Sequence, residues 1–185
     1  GLHLHPRVVE AVRSALSEFG YGTPSAQLLG GTNRHLRELE ETISAFFGRE
    51  DTLITPTGYA ANLGAIAALA GRHDQVVCDR FSHASIHDGC RFSSATVRRY
   101  PHLRYDPLAR QLREPCAGGR LVVTDGVFSM HGRIASLPDL RRIATEAGAL
   151  LYVDDAHGLG VLGASGRGIE EHFDMPGSVD VLMGT

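Results

Sequence analysis

The stretch LLYVDDAHGLGV, Leu150–Val161, decides the fold. An apolar run that starts at Ala149 ends on two adjacent carboxylates, Asp154 and Asp155, followed by His157 and the spaced glycines Gly158 and Gly160. Strands covered on both faces of a parallel sheet read as continuous apolar runs of this kind. In open α/β sheets, ligands bind just outside the carboxyl ends of the strands. Successive side chains on a strand point to opposite faces, so the spacing argues against a shared carboxylate dyad. One acid is expected to enter a site and the other to turn away and cap local N–H groups. A buried carboxylate that stays ionised needs a cationic or strongly donating partner. No Arg or Lys adjoins the pair in sequence, which leaves a ligand with a protonated ring nitrogen as a candidate partner.

The same rhythm extends outward in both directions. Short β-rich runs are expected as strands at Thr52–Thr55, Gln75–Cys78, Thr96–Tyr100, Leu121–Thr124, Leu150–Val153 and Val179–Met183. Helical segments lie between them at Ala60–Ala70, His83–Cys90, Pro107–Arg113 and Pro138–Ala147. Asp106-Pro107 and Leu137-Pro138 read as helix starts, because proline suits the first turn. Strands separated by helices argue for a mostly parallel sheet with helices on both faces. Two helices precede this region. Val8, Val12, Leu16 and Phe19 follow Pro6 at helical spacing, and Leu36, Leu39, Ile43 and Phe47 share the face of a second helix that stops at Gly48. This divides the chain into an N-terminal helical segment with a glycine-containing loop, residues 1–50, and an α/β domain, residues 51–185.

Bulk properties bound the function classes. The 185 residues suffice for one domain with a real core. A net charge of -3, with 43% hydrophobic and 21% charged residues, calls for neither a nucleic-acid nor a membrane partner. All 18 basic residues counted as Lys or Arg are arginine. Cys78, Cys90 and Cys116 are odd in number and form no CxxC pattern, so reduced thiols in a cytoplasmic protein are the expectation. The chain starts at Gly1 without an initiator methionine and stops directly after a strand-like run, so it reads as a fragment of a longer protein.

Five polar or glycine-bearing segments fall at expected strand ends: Pro56–Asn62, Asp79–Ser85, Thr124–Gly132, Asp154–Gly158 and Gly184-Thr185. Gly58 and Tyr59 would open a helix, where free backbone N–H groups suit a phosphate, and Thr185 could add a hydroxyl to the same anion. The plain alternative is a strand-to-helix turn. His83 has small neighbours, Ser82, Ala84 and Ser85, which would let a flat ligand approach the imidazole; the alternative is a surface or capping histidine. Asp154, Asp155 and His157 are also metal-ligand types, but adjacent aspartates on a strand do not converge on one ion, so no metal is assigned.

Taken in order, TGYAAN (57–62), DRFSHASI (79–86), TDGVFSMHG (124–132), LYVDDAHGLGVLGASGRG (151–168) and the final GT resemble the motifs of the α-oxoamine synthases. These are fold-type-I pyridoxal-phosphate (PLP) enzymes, among them 8-amino-7-oxononanoate synthase, glycine C-acetyltransferase, 5-aminolevulinate synthase and serine palmitoyltransferase. The resemblance implies an α/β fold of the PLP-dependent transferase type I (aspartate aminotransferase-like), whose large domain is a three-layer α/β/α sandwich with a mostly parallel sheet. It implies that Asp154 pairs with the protonated pyridine nitrogen, His83 stacks on the ring face, and His157 and Ser129 lie near the cofactor, His157 by its phenolic oxygen. Gly58, Tyr59 and Thr185 would hold the phosphate, and His83, Asp154 and His157 form the implied catalytic set. The implied reaction condenses an amino acid with an acyl-CoA or acyl-carrier-protein thioester, usually with decarboxylation, to an α-amino ketone. A homodimer with sites at the subunit interface is implied as well, with LLGGTNRH (28–35) reaching the neighbouring site.

This sequence departs from the family pattern at several points. The family's Schiff-base lysine lies three residues beyond the threonine matching Thr185, and no lysine occurs in the chain. A catalytically silent partner subunit of the same fold is therefore an alternative, although keeping Asp154, His157, His83 and Ser129 argues against it. Another fold-type-I enzyme, such as an aminotransferase, is a second alternative, opposed by a histidine where an aromatic ring commonly covers the cofactor. Ser25-Ala26-Gln27 stands where Ser-Arg is frequent, and His131 and Arg133 stand where acids are frequent, which leaves the amino acid and acyl donor open.

Overall fold

The computed structural model describes residues 1–185. Its centre is a sheet of five parallel strands, β1 (Gln75–Asp79), β2 (Thr96–Tyr100), β3 (Arg120–Asp125), β4 (Leu150–Asp154) and β5 (Val181–Met183), in the order β2-β1-β3-β4-β5. The chain leaves β1 in one direction and returns to build outward in the other, so the strand order reverses between β1 and β3. In doubly wound sheets the crevice for a ligand opens at such a reversal.

Alternation along the strands divides the core into two layers. Val77, Val122, Leu151 and Val153 pack on one face with Leu108, Leu112, Leu140 and Ile143. These last four come from α5 (Tyr105–Leu112) and α6 (Leu137–Glu146). Val76, Cys78, Leu121, Val123 and Tyr152 pack on the other face with Ile66, Ile86 and Cys90, from α3 (Gly58–Leu69) and α4 (Ala84–Phe92). The result is the expected three-layer α/β/α arrangement. Burying each of these large aliphatic side chains contributes about 1.5–3 kcal/mol.

The expected strand at Thr52–Thr55 does not form. Its β-rich composition is real, but side chains rather than a neighbouring strand take its polar groups. Ile54 N–H donates to the Glu40 carboxylate at 3.3 Å, the Ile54 carbonyl accepts from Gln27 Nε2 at 3.2 Å, and Thr52 Oγ1 is bonded to Ser44 Oγ at 2.7 Å. The expected Val179–Met183 strand is shortened to Val181–Met183, because Val179 N–H is taken by Glu170 Oε1 at 2.7 Å.

Before the sheet lie α1 (Pro6–Phe19) and α2 (Arg34–Phe47). Asn33 caps α2 by accepting from Leu36 N–H at 2.9 Å, and Gly48 ends it in the left-handed conformation at φ 64. Arg49, just beyond, ties this segment to the α/β layers through Glu170 and the Val179 carbonyl, both at 2.6 Å. The short helix α7 (Ile169–His172) carries Glu170. By contrast α1 buries no residue, and Val8, Val12 and Leu16 remain exposed.

Candidate functional site

Three adjacent strands each end on a buried aspartate: Asp79 on β1, Asp125 on β3 and Asp154 on β4. Strand alternation gives them different surroundings. Asp79 shares the α5/α6 side with Val77 and is consumed locally. Its two oxygens accept from Phe81 N–H at 2.8 Å, Leu103 N–H at 2.9 Å and the His102 ring at 3.1 Å. Asp125 and Asp154 are register partners and face the α3/α4 side. Burial, together with the Asp154 charge, pushes Asp125 up to about 7.

Asp154 accepts Ala156 N–H at 3.1 Å on Oδ1 and Asn62 Nδ2 at 2.6 Å on Oδ2. Both donors are neutral. A carboxylate has about four lone-pair sites, so acceptor capacity remains on an acid only 5% exposed. Asp155 turns to the opposite face, as expected for the next strand position. It accepts Ile169 N–H at 2.7 Å and is pushed up to about 6, chiefly by burial. Sequence alternation therefore anticipated that the two acids face opposite ways and that one of them caps a local N–H.

His83 is the N-cap of α4 and bridges the strand reversal, since its N–H donates to Asp125 Oδ2 at 3.1 Å. Its Nδ1 accepts Ser85 N–H at 3.3 Å and lies 2.7 Å from Ser85 Oγ, while the residue as a whole is exposed. Beneath it runs a chain of polar groups that the sequence reading did not assign. Asn62 Nδ2 donates both to Ser85 Oγ at 2.8 Å and to Asp154, and Tyr152 OH donates to Asn62 Oδ1 at 2.7 Å. The available signal was one amide inside the apolar run AANLGAIAALA: a buried Asn must find partners.

The expected phosphate residues come together, although by another route than a strand end. Pro56–Asn62 follows irregular chain, not a strand. Thr57 caps α3 by accepting Ala60 N–H at 3.0 Å, which leaves the Gly58 and Tyr59 N–H groups without acceptors inside the helix. This helix start abuts the end of β5. A Cβ at Gly58 would sit 2.9 Å from Met183 Cε and collide with the Thr185 methyl. The Tyr59 phenol points elsewhere, donating to Asp88.

Ser129 and His157 lie at the rim and are exposed. Ser129 occupies a tight hairpin closed by Phe128 N–H to the Arg133 carbonyl at 2.9 Å, and His157 sits in the turn after β4 closed by Gly158 N–H to the Asp155 carbonyl at 2.9 Å. Neither is bonded into the Asp154–Asn62–Ser85–His83 chain. The hairpin also carries Met130 and His131, and His131 stacks on Phe81 at 5.7 Å between ring centroids.

Comparison with known proteins gives relatives in sequence and in overall fold. The chain is 50% identical over its whole length to the 8-amino-7-oxononanoate synthase of Methylococcus capsulatus, covering 48% of that protein. It is 44% identical to the serine palmitoyltransferase of Sphingobacterium spiritivorum, again over its whole length and 47% of the relative. Among solved structures, the serine palmitoyltransferase of Sphingomonas wittichii superposes with a TM-score of 0.96 at 40% identity, covering 100% of this chain and 47% of that one. The chain thus spans about half the length of these relatives. The family described as aminotransferase class I and II matches residues 2–185, and with its sheet order and strand-end site the chain belongs to that family.

Proposed function

We propose that the protein of which this chain is part is a PLP-dependent acyltransferase, an α-oxoamine synthase most like 8-amino-7-oxononanoate synthase or glycine C-acetyltransferase. It condenses an amino acid with an acyl-CoA or acyl-carrier-protein thioester, usually with loss of the carboxylate. The observation that carries this reading is Asp154: a buried acid at a strand end, held by two neutral N–H donors and lacking a cationic partner. A pyridinium N–H would complete it. The opposing pair, a helix start with free N–H groups against the Thr185 side chain, suits a phosphate.

When bound, pyridoxal phosphate supplies an electron sink for the pair released at the amino acid's Cα. The chain's own residues bind and orient. Asp154 would hold the proton on the ring nitrogen, the Gly58 and Tyr59 N–H groups with Thr185 would receive the phosphate, and His83 would cover the ring face. By resemblance, His157 and Ser129 would contact the cofactor from the rim. The Schiff-base lysine we assign to sequence beyond Thr185, since the chain contains none. Residues 51–185 then form the cofactor-binding part of the large domain, and residues 1–50 an arm.

A homodimer is part of the same proposal. The exposed face of α1, with Val8, Val12 and Leu16, together with Leu28 and Leu29, is apolar surface suited to burial against a second copy. A cytoplasmic setting fits the three unpaired thiols. The test is to supply the full-length protein with pyridoxal phosphate, an amino acid and an acyl-CoA, and to follow release of free thiol. Release that requires both substrates supports the reading. A 2-oxo acid formed without the thioester would indicate an aminotransferase instead, and neither product would indicate a silent subunit.

A further inference from the structure

The polar chain beneath His83 has a direction, and the direction is set by charge. An ionised Asp154 can only accept, so the Asn62 group 2.6 Å from it must be the amide nitrogen. That fixes the side chain's other contacts: its carbonyl oxygen accepts from Tyr152 OH at 2.7 Å, and its second N–H donates to Ser85 Oγ at 2.8 Å. With a lone pair of Ser85 Oγ engaged, its own proton is free to donate across 2.7 Å to His83 Nδ1. The same nitrogen faces the Ser85 backbone N–H at 3.3 Å, a group that can only donate. Two donors on Nδ1 leave the proton of the neutral imidazole on Nε2.

We infer that Asn62 and Ser85 are positioning residues that transmit the Asp154 charge to His83 and hold its neutral ring as the Nε2–H tautomer, with Nδ1 turned inward. The inference rests on the PLP reading for its purpose, since it would make the ring-covering histidine a donor at Nε2 whenever the ring-nitrogen acid is ionised. It does not rest on that reading for its geometry. Asn62 and Ser85 are buried to 1% and 0% exposure and come from different helices, α3 and α4, so the chain also fixes how those helices meet the end of β4. Low dielectric strengthens such a chain when every member is satisfied.

The experiment is nitrogen NMR of histidine-labelled full-length protein above the pH at which its imidazoles are neutral, with His83→Gln used to assign the resonances. The expected result is a His83 Nδ1 that carries no proton. Ser85→Ala, a small change at a buried site, should lower the Nε2–H to Nδ1–H ratio about fivefold, the worth of one neutral hydrogen bond. Asp154→Asn should lower it as well, because an amide at that position no longer dictates which end of Asn62 faces it. A protonated Nδ1 in the wild type, or a ratio unmoved by Ser85→Ala in a folded protein, overturns the inference. The spectra are recorded before pyridoxal phosphate is added, so failure of cofactor uptake, which would sink the functional reading, is read separately.

Discussion

The His83 backbone N–H donates to the Asp125 carboxylate at 3.1 Å, joining the ends of β1 and β3 where the strand order reverses. The bond fixes the start of α4, and with it the imidazole, against the sheet. It also places an acid pushed up to about 7 beside Asp154.

That raised value has a consequence for stability. The folded state holds the Asp125 proton over a range in which the unfolded chain, with an ordinary carboxylate, has released it. Stability therefore falls as pH rises from about 4 to about 7, and the loss is complete above the folded value. Asp125→Asn keeps an oxygen for the His83 N–H and removes the titration. Relative to wild type, the variant should gain stability across this window, on the order of a few kcal/mol by pH 8. Melting temperatures of both proteins at a series of pH values check this. A difference that does not grow with pH would mean Asp125 is ionised throughout.

The adjacent acids Asp154 and Asp155 should fail in opposite ways. Asp155→Ala strands the Ile169 N–H in the interior and should cost about 1–3 kcal/mol of stability, with little change in affinity for pyridoxal phosphate. Asp154→Asn should leave the melting temperature near wild type and abolish most cofactor-dependent turnover. Thermal unfolding and cofactor titration on the two variants separate the roles, and a shared phenotype would contradict the division by strand face.

Gly58 offers a case where local preference and site geometry disagree. Alanine is favoured over glycine within a helix by about 1 kcal/mol. Here its methyl would press on Met183 and Thr185. Gly58→Ala is expected to fold normally and to weaken pyridoxal phosphate binding about tenfold, measured by equilibrium titration, because the Thr185 side chain must leave its place.

Val12 lies on the apolar stripe of α1 and is 61% exposed. A charge there costs nothing in an isolated chain but would be desolvated in a dimer. Val12→Asp in the full-length protein should shift the sedimentation profile toward monomer. An unchanged dimer would remove α1 from the interface.

The sheet was legible in the sequence because apolar runs such as Gln75–Cys78 and Leu150–Val153 are long enough to be covered on both faces. Thr52–Thr55 has similar composition, but composition does not reveal whether a strand will stand beside it, and Glu40 and Gln27 took its polar groups instead. The opposite facing of Asp154 and Asp155 followed from the period of a strand. Asn62, Ser85 and Asp125 were missed because their roles depend on contacts between distant segments: Asn62 meets Asp154 across 92 positions. An aspartate separated by one residue from the run Leu121–Val123, much as Asp154 follows its own run, was the one local hint at Asp125.

The central claim is that Asp154 holds a proton on a heteroaromatic nitrogen. Its most direct test is nitrogen NMR of ring-labelled pyridoxal phosphate bound to the full-length protein and to its Asp154→Asn variant. A protonated ring nitrogen in the wild type that loses its proton in the variant is the expected result. The same protonation state in both proteins would contradict it.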